Sequence, residues 1–336
     1  MIRLAPALAA LTAVLVLAAG CGEKKERTGA PAPEPFELVL DYFPNADHAG
    51  IYAARARGEF AKVGLDVRIR TPSDPAAPLK LLAAGRADLA ISYEPEVLLA
   101  RDRGLSVVSV GAIVQKPLTS IIALGSARIR SVRDLEGKRV GTAGLPYQTA
   151  YLRTILQRAG INPASVRETN VGFNLVPAML SRKVDATLGA FWNYEGVQLA
   201  LQRRNPVIIR MDQVGVPTYQ ELVLVARQST LKNEGNRVRR FIRALAAGQE
   251  SVRRDPAGAA NALVAANRDL DRRLQLASIR ATLPVFFPAR RDRPFGFQDR
   301  REWLAYGDWM LRNQLVKRPP NAGRAFTNEF LPGQGL

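Results

Sequence analysis

The sequence predicts an α/β protein with mainly parallel sheets, built as two units of similar design. From Phe36 onward, β-rich runs alternate with helical patterns, which is typical of strand–helix–strand units. A short buried strand, Asp88-Leu89-Ala90-Ile91, is echoed much later by Asp185-Ala186-Thr187-Leu188. With 336 residues, the chain can bury one large core or two medium ones.

The overall composition excludes several classes of protein. Apolar residues make up 47% and charged residues 23%, which is ordinary for a soluble globular protein. The net charge of +18 would suit nucleic acid, but the basic residues are scattered along the whole chain, so we expect no such partner. One cysteine and one histidine rule out an internal disulfide and any zinc site built from His and Cys. We predict no metal and no cofactor.

The first 35 residues predict export and anchoring. Residues 1–21 have the pattern of a secretory signal, and Gly20-Cys21 resembles a bacterial lipoprotein cleavage site, although Ala18 stands where Leu is usual. A plain secretory signal with a stray cysteine is the alternative. Residues 22–35 are rich in charge and proline and form a flexible tether. The protein is thus expected in the cell envelope, lipid-anchored through Cys21 and facing the periplasm or the extracellular side.

The stretch after the first strand carries the first candidate site. Phe36–Leu40 alternates like a half-buried strand, Pro44 forces a loop, and Asp47 suits the N-cap of a helix that Gly58 ends. Loops at the carboxyl ends of such strands bind ligands in open α/β sheets. The candidate groups in this loop are Tyr42, Phe43, Asn45 and His48. The alternative that the aromatics are core and the polar residues only shape the turn remains open.

Later strand ends carry similar groups. The strand 88–92 runs into Tyr93-Glu94-Pro95, with Pro95 well placed at the first helical position. In the second unit, which begins near Ser126, a glycine-containing loop leads to Tyr147 and a helix, without the Lys of a nucleotide-binding loop. The strand 185–190 ends in Phe191-Trp192-Asn193-Tyr194-Glu195-Gly196.

The rest of the chain is expected to complete the first unit. Strands are predicted at 207–210 and 222–226, the second returning to the first unit. The following segments are helical. Asp299 and Glu302 have capping-box spacing, and we expect Trp303 and Tyr306 to be core and 325–331 to dock as a closing tail.

Two α/β units, with the first reopened after the second, resemble a periplasmic solute-binding protein of the bilobal type II arrangement. More narrowly, three motifs resemble the family that binds thiamine pyrimidine precursors. They are Asp41-Tyr42-Phe43-Pro44-Asn45-Ala46-Asp47-His48-Ala49-Gly50, Phe191-Trp192-Asn193-Tyr194-Glu195-Gly196 and Pro217-Thr218-Tyr219-Gln220-Glu221-Leu222-Val223-Leu224. One departure is Tyr42, where the family often has Trp.

The resemblance implies two lobes, 36–122 plus 223–336 and 123–222, joined by two crossover strands. It also implies a monomeric, non-catalytic receptor that delivers a formylaminopyrimidine or hydroxymethylpyrimidine to the permease and ATPase subunits of an ABC importer. Tyr42 and Trp192 would sandwich the ring. The other expected ligand contacts are Asn45, His48, Glu94, Tyr147, Tyr194, Glu195 and Tyr219.

Three alternatives stay open at this stage. A riboflavin-binding or other aromatic-solute importer component of the same branch would use a similar aromatic clamp. A sulfonate binder fits less well, since the loops carry carboxylates rather than Arg. The synthase of the same family fits least, because its cofactor lysine appears here as Arg86, which cannot form a Schiff base.

Overall fold

The computed structural model of the chain describes residues 33–333. The strands are β1 (Glu34–Val39), β2 (Leu65–Arg70), β3 (Leu89–Ser92), β4 (Val107–Val114), β5 (Thr119–Ala123), β6 (Arg139–Thr142), β7 (Arg167–Asn170), β8 (Ala186–Phe191), β9 (Val207–Arg210) and β10 (Leu222–Arg227). The α-helices are α1 (Ala49–Ala56), α2 (Glu59–Lys62), α3 (Ala77–Ala83), α4 (Glu94–Asp102), α5 (Pro146–Arg158), α6 (Leu175–Leu180), α7 (Glu195–Leu201), α8 (Gln228–Arg254), α9 (Pro256–Ala266), α10 (Arg272–Phe286) and α11 (Arg300–Arg312). Short 3₁₀ turns lie at Ala46–His48, Gly125–Ala127, Val132–Leu135, Pro163–Ser165, Met211–Gln213 and Ala322–Arg324.

The strands between residues 33 and 333 form two five-stranded sheets with the same internal pattern. The first has the order β2-β1-β3-β10-β4, with β1 parallel to β2 and β3 and with β10 antiparallel to β3 and β4. The second has the order β7-β6-β8-β5-β9, with β6 parallel to β7 and β8 and with β5 antiparallel to its neighbours. The predicted two-lobed α/β architecture is confirmed.

The chain passes between the sheets in two places, which we call the crossing segments: residues 115–118 and 211–221. The first joins β4 to β5, and the second returns the chain from β9 to β10. The boundaries predicted from sequence, at 122/123 and 222/223, fall inside β5 and β10. A β-rich run does not reveal which sheet it joins, so the division into 36–122 plus 223–336 and 123–222 stays a prediction.

The core of the first lobe fixes the helix that follows the first candidate loop. α1 packs closely on α8 because small residues meet there: a Cβ built on Gly248 would lie 2.3 Å from the Gly50 carbonyl oxygen. Phe241 of α8 stacks on both Phe36 and Phe60. Such close approach of two helices tolerates little added volume.

The carboxyl-terminal part docks as expected, apart from one cap. Trp303 and Tyr306 are fully buried, and Phe326 of the closing tail pairs with Ser109 of β4, as predicted. The predicted capping box at Asp299 is wrong. Asp299 caps α11 alone, and the Glu302 carboxylate instead lies 2.6 Å from the Lys116 ammonium.

A second expected cap also differs. Asp47 does not cap α1, because a 3₁₀ turn intervenes and Asn45 caps that turn through its side chain. The prediction was wrong because an Asx cap two residues earlier takes the backbone N–H of Asp47 itself, at 2.8 Å. The Asp47 carboxylate is thereby left for a tertiary contact.

Among the residues that the structure describes, we find no helix with both the length and the apolar character needed to cross a bilayer.

Candidate functional site

A cavity lies between the two lobes, with about 430 Å³ of empty space that includes open solvent at its mouth. The lining residues lie at or after the carboxyl ends of β1, β2, β3, β6, β7 and β8, so both sheets contribute. The lining residues are Asp41, Tyr42, Asn45, Pro75, Tyr93, Ala143, Leu145, Tyr147, Gln148, Phe173, Leu175, Gly189, Phe191, Tyr194 and Glu195.

The loop after β1 is held rigid by its own polar groups. The Asn45 backbone N–H donates to Nδ1 of His48 at 3.2 Å, and Nε2 of His48 lies 2.9 Å from Oδ1 of Asp41. A backbone N–H can only donate, so Nδ1 accepts and Nε2 carries the hydrogen. The Tyr93 hydroxyl donates to the other Asp41 oxygen at 2.8 Å. The site loop is therefore built before any ligand arrives.

Aromatic side chains from both lobes meet at the mouth. The Tyr42 hydroxyl donates to the Phe173 carbonyl oxygen at 2.8 Å, and the two rings meet edge to face with centroids 4.7 Å apart. Phe43, half exposed, packs on the same Phe173 ring at 4.8 Å. Burial raises the pKa of the Tyr42 phenol, so it stays neutral and keeps donating. The two lobes are therefore in contact at the mouth.

Glu195 presents a buried carboxyl to the cavity from the first turn of α7. Its Oε2 accepts a 2.7 Å hydrogen bond from the Phe191 backbone N–H. Desolvation by burial raises its pKa to about 7, with Asp41 adding to the shift and backbone hydrogen bonds opposing it. One oxygen is thus engaged by the protein, and the carboxyl can change its protonation state near neutral pH.

The charge of the cavity wall has one sign. Asp41 and Glu195 are its ionisable acids, and the described lining contains no Lys, Arg or His. The remaining polar groups are neutral: burial raises the pKa of the Tyr194 hydroxyl to about 12, and Gln148 accepts from the Ala143 N–H at 2.8 Å. Such a wall suits a neutral or cationic molecule with hydrogen-bond donors and repels anions.

Five of the residues singled out from the sequence line the cavity: Tyr42, Asn45, Tyr147, Tyr194 and Glu195. The other four, His48, Glu94, Trp192 and Tyr219, are placed behind it. His48 orders the loop after β1. Two of the remaining three bind the crossing segments, the third belongs to one, and all three are described next.

Trp192 and Glu94 each hydrogen-bond a crossing segment, and Tyr219 lies within the second one. The Trp192 indole N–H donates to the Pro117 carbonyl at 3.1 Å, while the Arg210 guanidinium lies over its ring. Oε2 of Glu94 accepts from the Gln220 backbone N–H at 2.7 Å, and the Tyr219 hydroxyl donates to Glu221 at 3.0 Å. The Tyr42–Trp192 sandwich expected from the sequence does not correspond to this arrangement.

Glu221 joins the two crossing segments. Its carboxylate accepts from the backbone N–H of Leu118 and of Thr119, at 2.6 and 2.8 Å, and from the Thr119 hydroxyl. Glu221 itself ends the second crossing segment, so one side chain links both passages of the chain. Burial raises its pKa to about 7 against the effect of those hydrogen bonds.

Sequence reasoning missed several lining residues. Asp41 and Tyr93 directly follow strands, so the strand-end rule could have selected them. Phe173 follows β7, whose sequence Arg-Glu-Thr-Asn has no apolar alternation and gives no strand signal. Gln148 lies in the first turn of α5 and looks like any helix residue in sequence.

A scan against protein-family models matches residues 45–259 to the family described as NMT1/THI5 like. The chain belongs to the NMT1/THI5-like family. This match spans most of the chain, including the turn at Ala46–His48 and the segment of Glu195, and the family predicted from the motifs is confirmed.

Similar proteins place this family member near binding proteins and, more distantly, near enzymes. It is 34% identical over 301 residues to the formylaminopyrimidine-binding protein of Halalkalibacterium halodurans, covering 88% of this chain and 91% of that protein. It is 26% identical over 298 residues to the 4-amino-5-hydroxymethyl-2-methylpyrimidine phosphate synthase of Legionella pneumophila, covering 88% and 92%. The first of these relatives supports a solute-binding role, and the second, at lower identity, is named as an enzyme.

Among solved structures, the alkanesulfonate-binding protein from Xanthomonas axonopodis pv. citri matches with a TM-score of 0.69. The two chains are 17% identical, and the match covers 89% of this chain and 99% of the other. At that identity the likeness shows the fold, and it confirms the bilobal periplasmic-binding-protein architecture.

Proposed function

We propose that this protein is the substrate-binding component of an ABC importer and captures a thiamine pyrimidine precursor, of the formylaminopyrimidine or hydroxymethylpyrimidine type, between its lobes. The 34% identity to a formylaminopyrimidine-binding protein supports the ligand class. The cavity supports it chemically, because it is walled by flat aromatic rings and carries acidic acceptors.

The buried Glu195 carboxyl is the observation that carries this proposal. An aminopyrimidine has an exocyclic NH₂ donor, and a carboxylate is its natural acceptor. Oε2 already accepts from the Phe191 N–H at 2.7 Å, so the proposed ligand bond uses the second oxygen. We assign further ligand contacts to Tyr42, Asn45, Tyr147 and Tyr194, which line the same cavity.

The lining also argues for an unphosphorylated ligand. Phosphate and sulfonate groups in proteins are bound by Arg, Lys or clustered N–H donors. The described wall offers two acids and no basic side chain. A phosphate ester or a sulfonate would bring its negative charge against Asp41 and Glu195 in a buried site, at an electrostatic cost.

We favour binding over catalysis. The lysine that a pyrimidine synthase of this family needs for its cofactor is replaced by Arg86, whose exposed position is outside the cavity lining. The Arg86 carbonyl accepts from Arg70 on the surface of the first lobe. A guanidinium cannot form the Schiff base on which such chemistry depends.

A ligand panel tests the proposal directly. The domain from residue 33 onward is assayed for thermal stabilisation with formylaminopyrimidine, hydroxymethylpyrimidine, hydroxymethylpyrimidine phosphate, riboflavin, taurine and pyridoxal phosphate. A free pyrimidine at a hundred times its dissociation constant should stabilise by about 2.7 kcal/mol. The phosphate ester should bind at least tenfold more weakly than the free alcohol. If only riboflavin or only taurine stabilised the protein, that compound would take the place of the pyrimidine as the proposed ligand.

A further inference from the structure

A buried polar contact joins the two lobes beside the ligand cavity. Asn193, two residues after β8, reaches between the Ala46–His48 turn and α10. Its Nδ2 donates to Oδ1 of Asp47 at 2.6 Å and to the Thr282 hydroxyl oxygen at 2.7 Å. All three side chains are buried to at least 99%. Neither Asp47 nor Asn193 lines the cavity.

Two acceptor atoms in this contact have no partner. Oδ2 of Asp47 and Oδ1 of Asn193 are both buried, and neither makes a hydrogen bond to any residue that the structure describes. If Asp47 is ionised, both oxygens stay unsatisfied and a negative charge is buried, which is costly. A proton on Oδ2 of Asp47 can instead be donated to Oδ1 of Asn193. The acid and the amide then form a pair with two hydrogen bonds.

The surroundings favour that proton. Desolvation by burial raises the pKa of Asp47 to about 7; Asp41 and Glu195 also raise it, while His48 and the Asn193 hydrogen bond lower it. The helices packed on the turn add no opposing charge: α9 contains no charged residue, and the basic residues of α1 and α10 are exposed. The buried side chains of α10 in this contact are Gln275, Ser278 and Thr282, all neutral.

We propose that Asp47 and Asn193 form a proton-dependent latch, in which closing of the lobes takes a proton from solvent onto Oδ2 of Asp47 and opening returns it. Both act as positioning residues, since they hold the closed form without touching the ligand. The latch requires that opening, which removes Asn193, lets water reach Asp47 so that it ionises at its ordinary pKa. The free energy of closing is then lowest below about pH 4. It rises as pH rises from about 4 to 7 and keeps its higher value above that.

Asp47→Asn separates this proposal from a merely structural role. An amide at position 47 reproduces the protonated acid, because it accepts through Oδ1 and donates through Nδ2 to Oδ1 of Asn193. It cannot titrate. Small-angle X-ray scattering of the ligand-free protein from pH 5 to pH 8 should show a rising radius of gyration for the wild type. Asp47→Asn should keep the compact value throughout. Asp292→Asn, at an exposed ion pair, is the control and should follow the wild type.

Identical pH profiles for the wild type and Asp47→Asn would overturn the latch. Asn193→Ala provides a second variant should the first misfold: it should be extended at both pH values, and compaction of this variant at pH 5 would also overturn the proposal.

A second experiment measures ligand binding; it rests on the proposed function and is interpreted separately. With hydroxymethylpyrimidine at pH 8, Asp47→Asn should bind about tenfold or more tighter than the wild type, since one pKa unit corresponds to a tenfold change. Weaker binding by the variant would contradict the latch. Absence of binding by every variant would count against the proposed ligand alone and leave the scattering result to decide the latch.

Discussion

At the scale of single residues, the cavity depends on carboxyl groups that have divided roles. Both oxygens of Asp41 accept hydrogen bonds within the protein, from His48 and Tyr93, so Asp41 supports the loop. In Glu195, one oxygen accepts a hydrogen bond from the backbone. A carboxylate offers two acceptors, while an amide offers one acceptor and one donor. The identity of residue 195 therefore matters more than its size.

Glu195→Gln should weaken binding of an aminopyrimidine by roughly ten- to a hundred-fold, the equivalent of about 1.5–3 kcal/mol for a charge-assisted hydrogen bond. The amide must turn its donor either to the Phe191 N–H or to the ligand NH₂, so one contact becomes donor against donor. Isothermal titration calorimetry measures the change.

Glu96→Gln is the matched control for that measurement. Burial also raises the pKa of Glu96 to about 7, but this residue is outside the cavity lining. The affinity of Glu96→Gln for the aminopyrimidine should remain within about twofold of the wild type, because a change at a distant, independent site couples only weakly to the binding site. An equal loss in both variants would show that Glu195 acts only through general stability.

At the scale of elements, the α1–α8 contact places the site loop. The loop after β1 leads through the Ala46–His48 turn into α1, and α1 is seated on α8 through Gly248. Displacing α1 would carry the loop residues with it. The packing of two helices outside the cavity lining thereby helps to set the geometry of its wall.

Gly248→Ala should destabilise the protein by about 2 kcal/mol or more, because overpacking outweighs the gain in helix propensity of at most about 1 kcal/mol. The new methyl would lie 2.3 Å from the Gly50 carbonyl oxygen and 2.5 Å from Cβ of Ala54. Urea denaturation gives the difference.

Gly235→Ala, on the same helix, is the control. Its nearest neighbour is the Phe330 ring edge at 3.0 Å, which can move with the closing tail. The cost there should be far smaller, and comparable losses at the two sites would contradict the packing argument.

The sequence predicted where strands and helices lie better than it predicted which segments their side chains contact. Strand ends with aromatic and acidic residues led to Tyr42, Tyr147, Tyr194 and Glu195, because that rule depends only on local order along the chain. Trp192 looked equivalent by the same rule, whereas Tyr219 was selected through the family motif. Trp192 instead bonds one crossing segment and Tyr219 belongs to the other. These positions depend on how two distant passages of the chain meet, which no local pattern encodes. Phe173 could not be predicted, because the four residues of β7 show no alternation of apolar and polar residues and give no strand signal.

At the scale of the whole molecule, buried acids make stability depend on pH. Asp47, Glu96, Glu195 and Glu221 all have a pKa raised to about 7, chiefly by desolvation. The folded state binds their protons more tightly than the unfolded chain does. Their stabilising effect is thus full below about pH 4 and is lost as pH rises to about 7.

The ligand-free protein should accordingly melt at a higher temperature at pH 5.5 than at pH 8. Calorimetric scans across that range measure how steeply the free energy of unfolding falls, by at most about 1.4 kcal/mol per pH unit for each group. Glu221→Gln should flatten this slope, whereas Asp292→Asn, an exposed acid, should leave it unchanged. A melting temperature that rises towards pH 8 would contradict the assignment of these groups as buried and proton-binding.

The export and anchoring predicted from sequence concern Cys21, which lies outside the described residues. We propose that Cys21 carries lipid. Cys21→Ser should abolish incorporation of labelled fatty acid and move the protein from the membrane fraction to the soluble or precursor fraction. Wild-type protein that is cleaved at another residue and carries no lipid would contradict this.

The contact at the mouth, where the Tyr42 hydroxyl reaches the Phe173 carbonyl oxygen, has a consequence for kinetics. A ligand that leaves only when the lobes part must wait for that contact to break, so the rate of opening sets an upper limit on its rate of dissociation. Ligands of different affinity should then dissociate at rates that converge on one ceiling. Under the proposed function, weakly held solutes would be released at a pace set by opening of the protein rather than by the strength with which each is held.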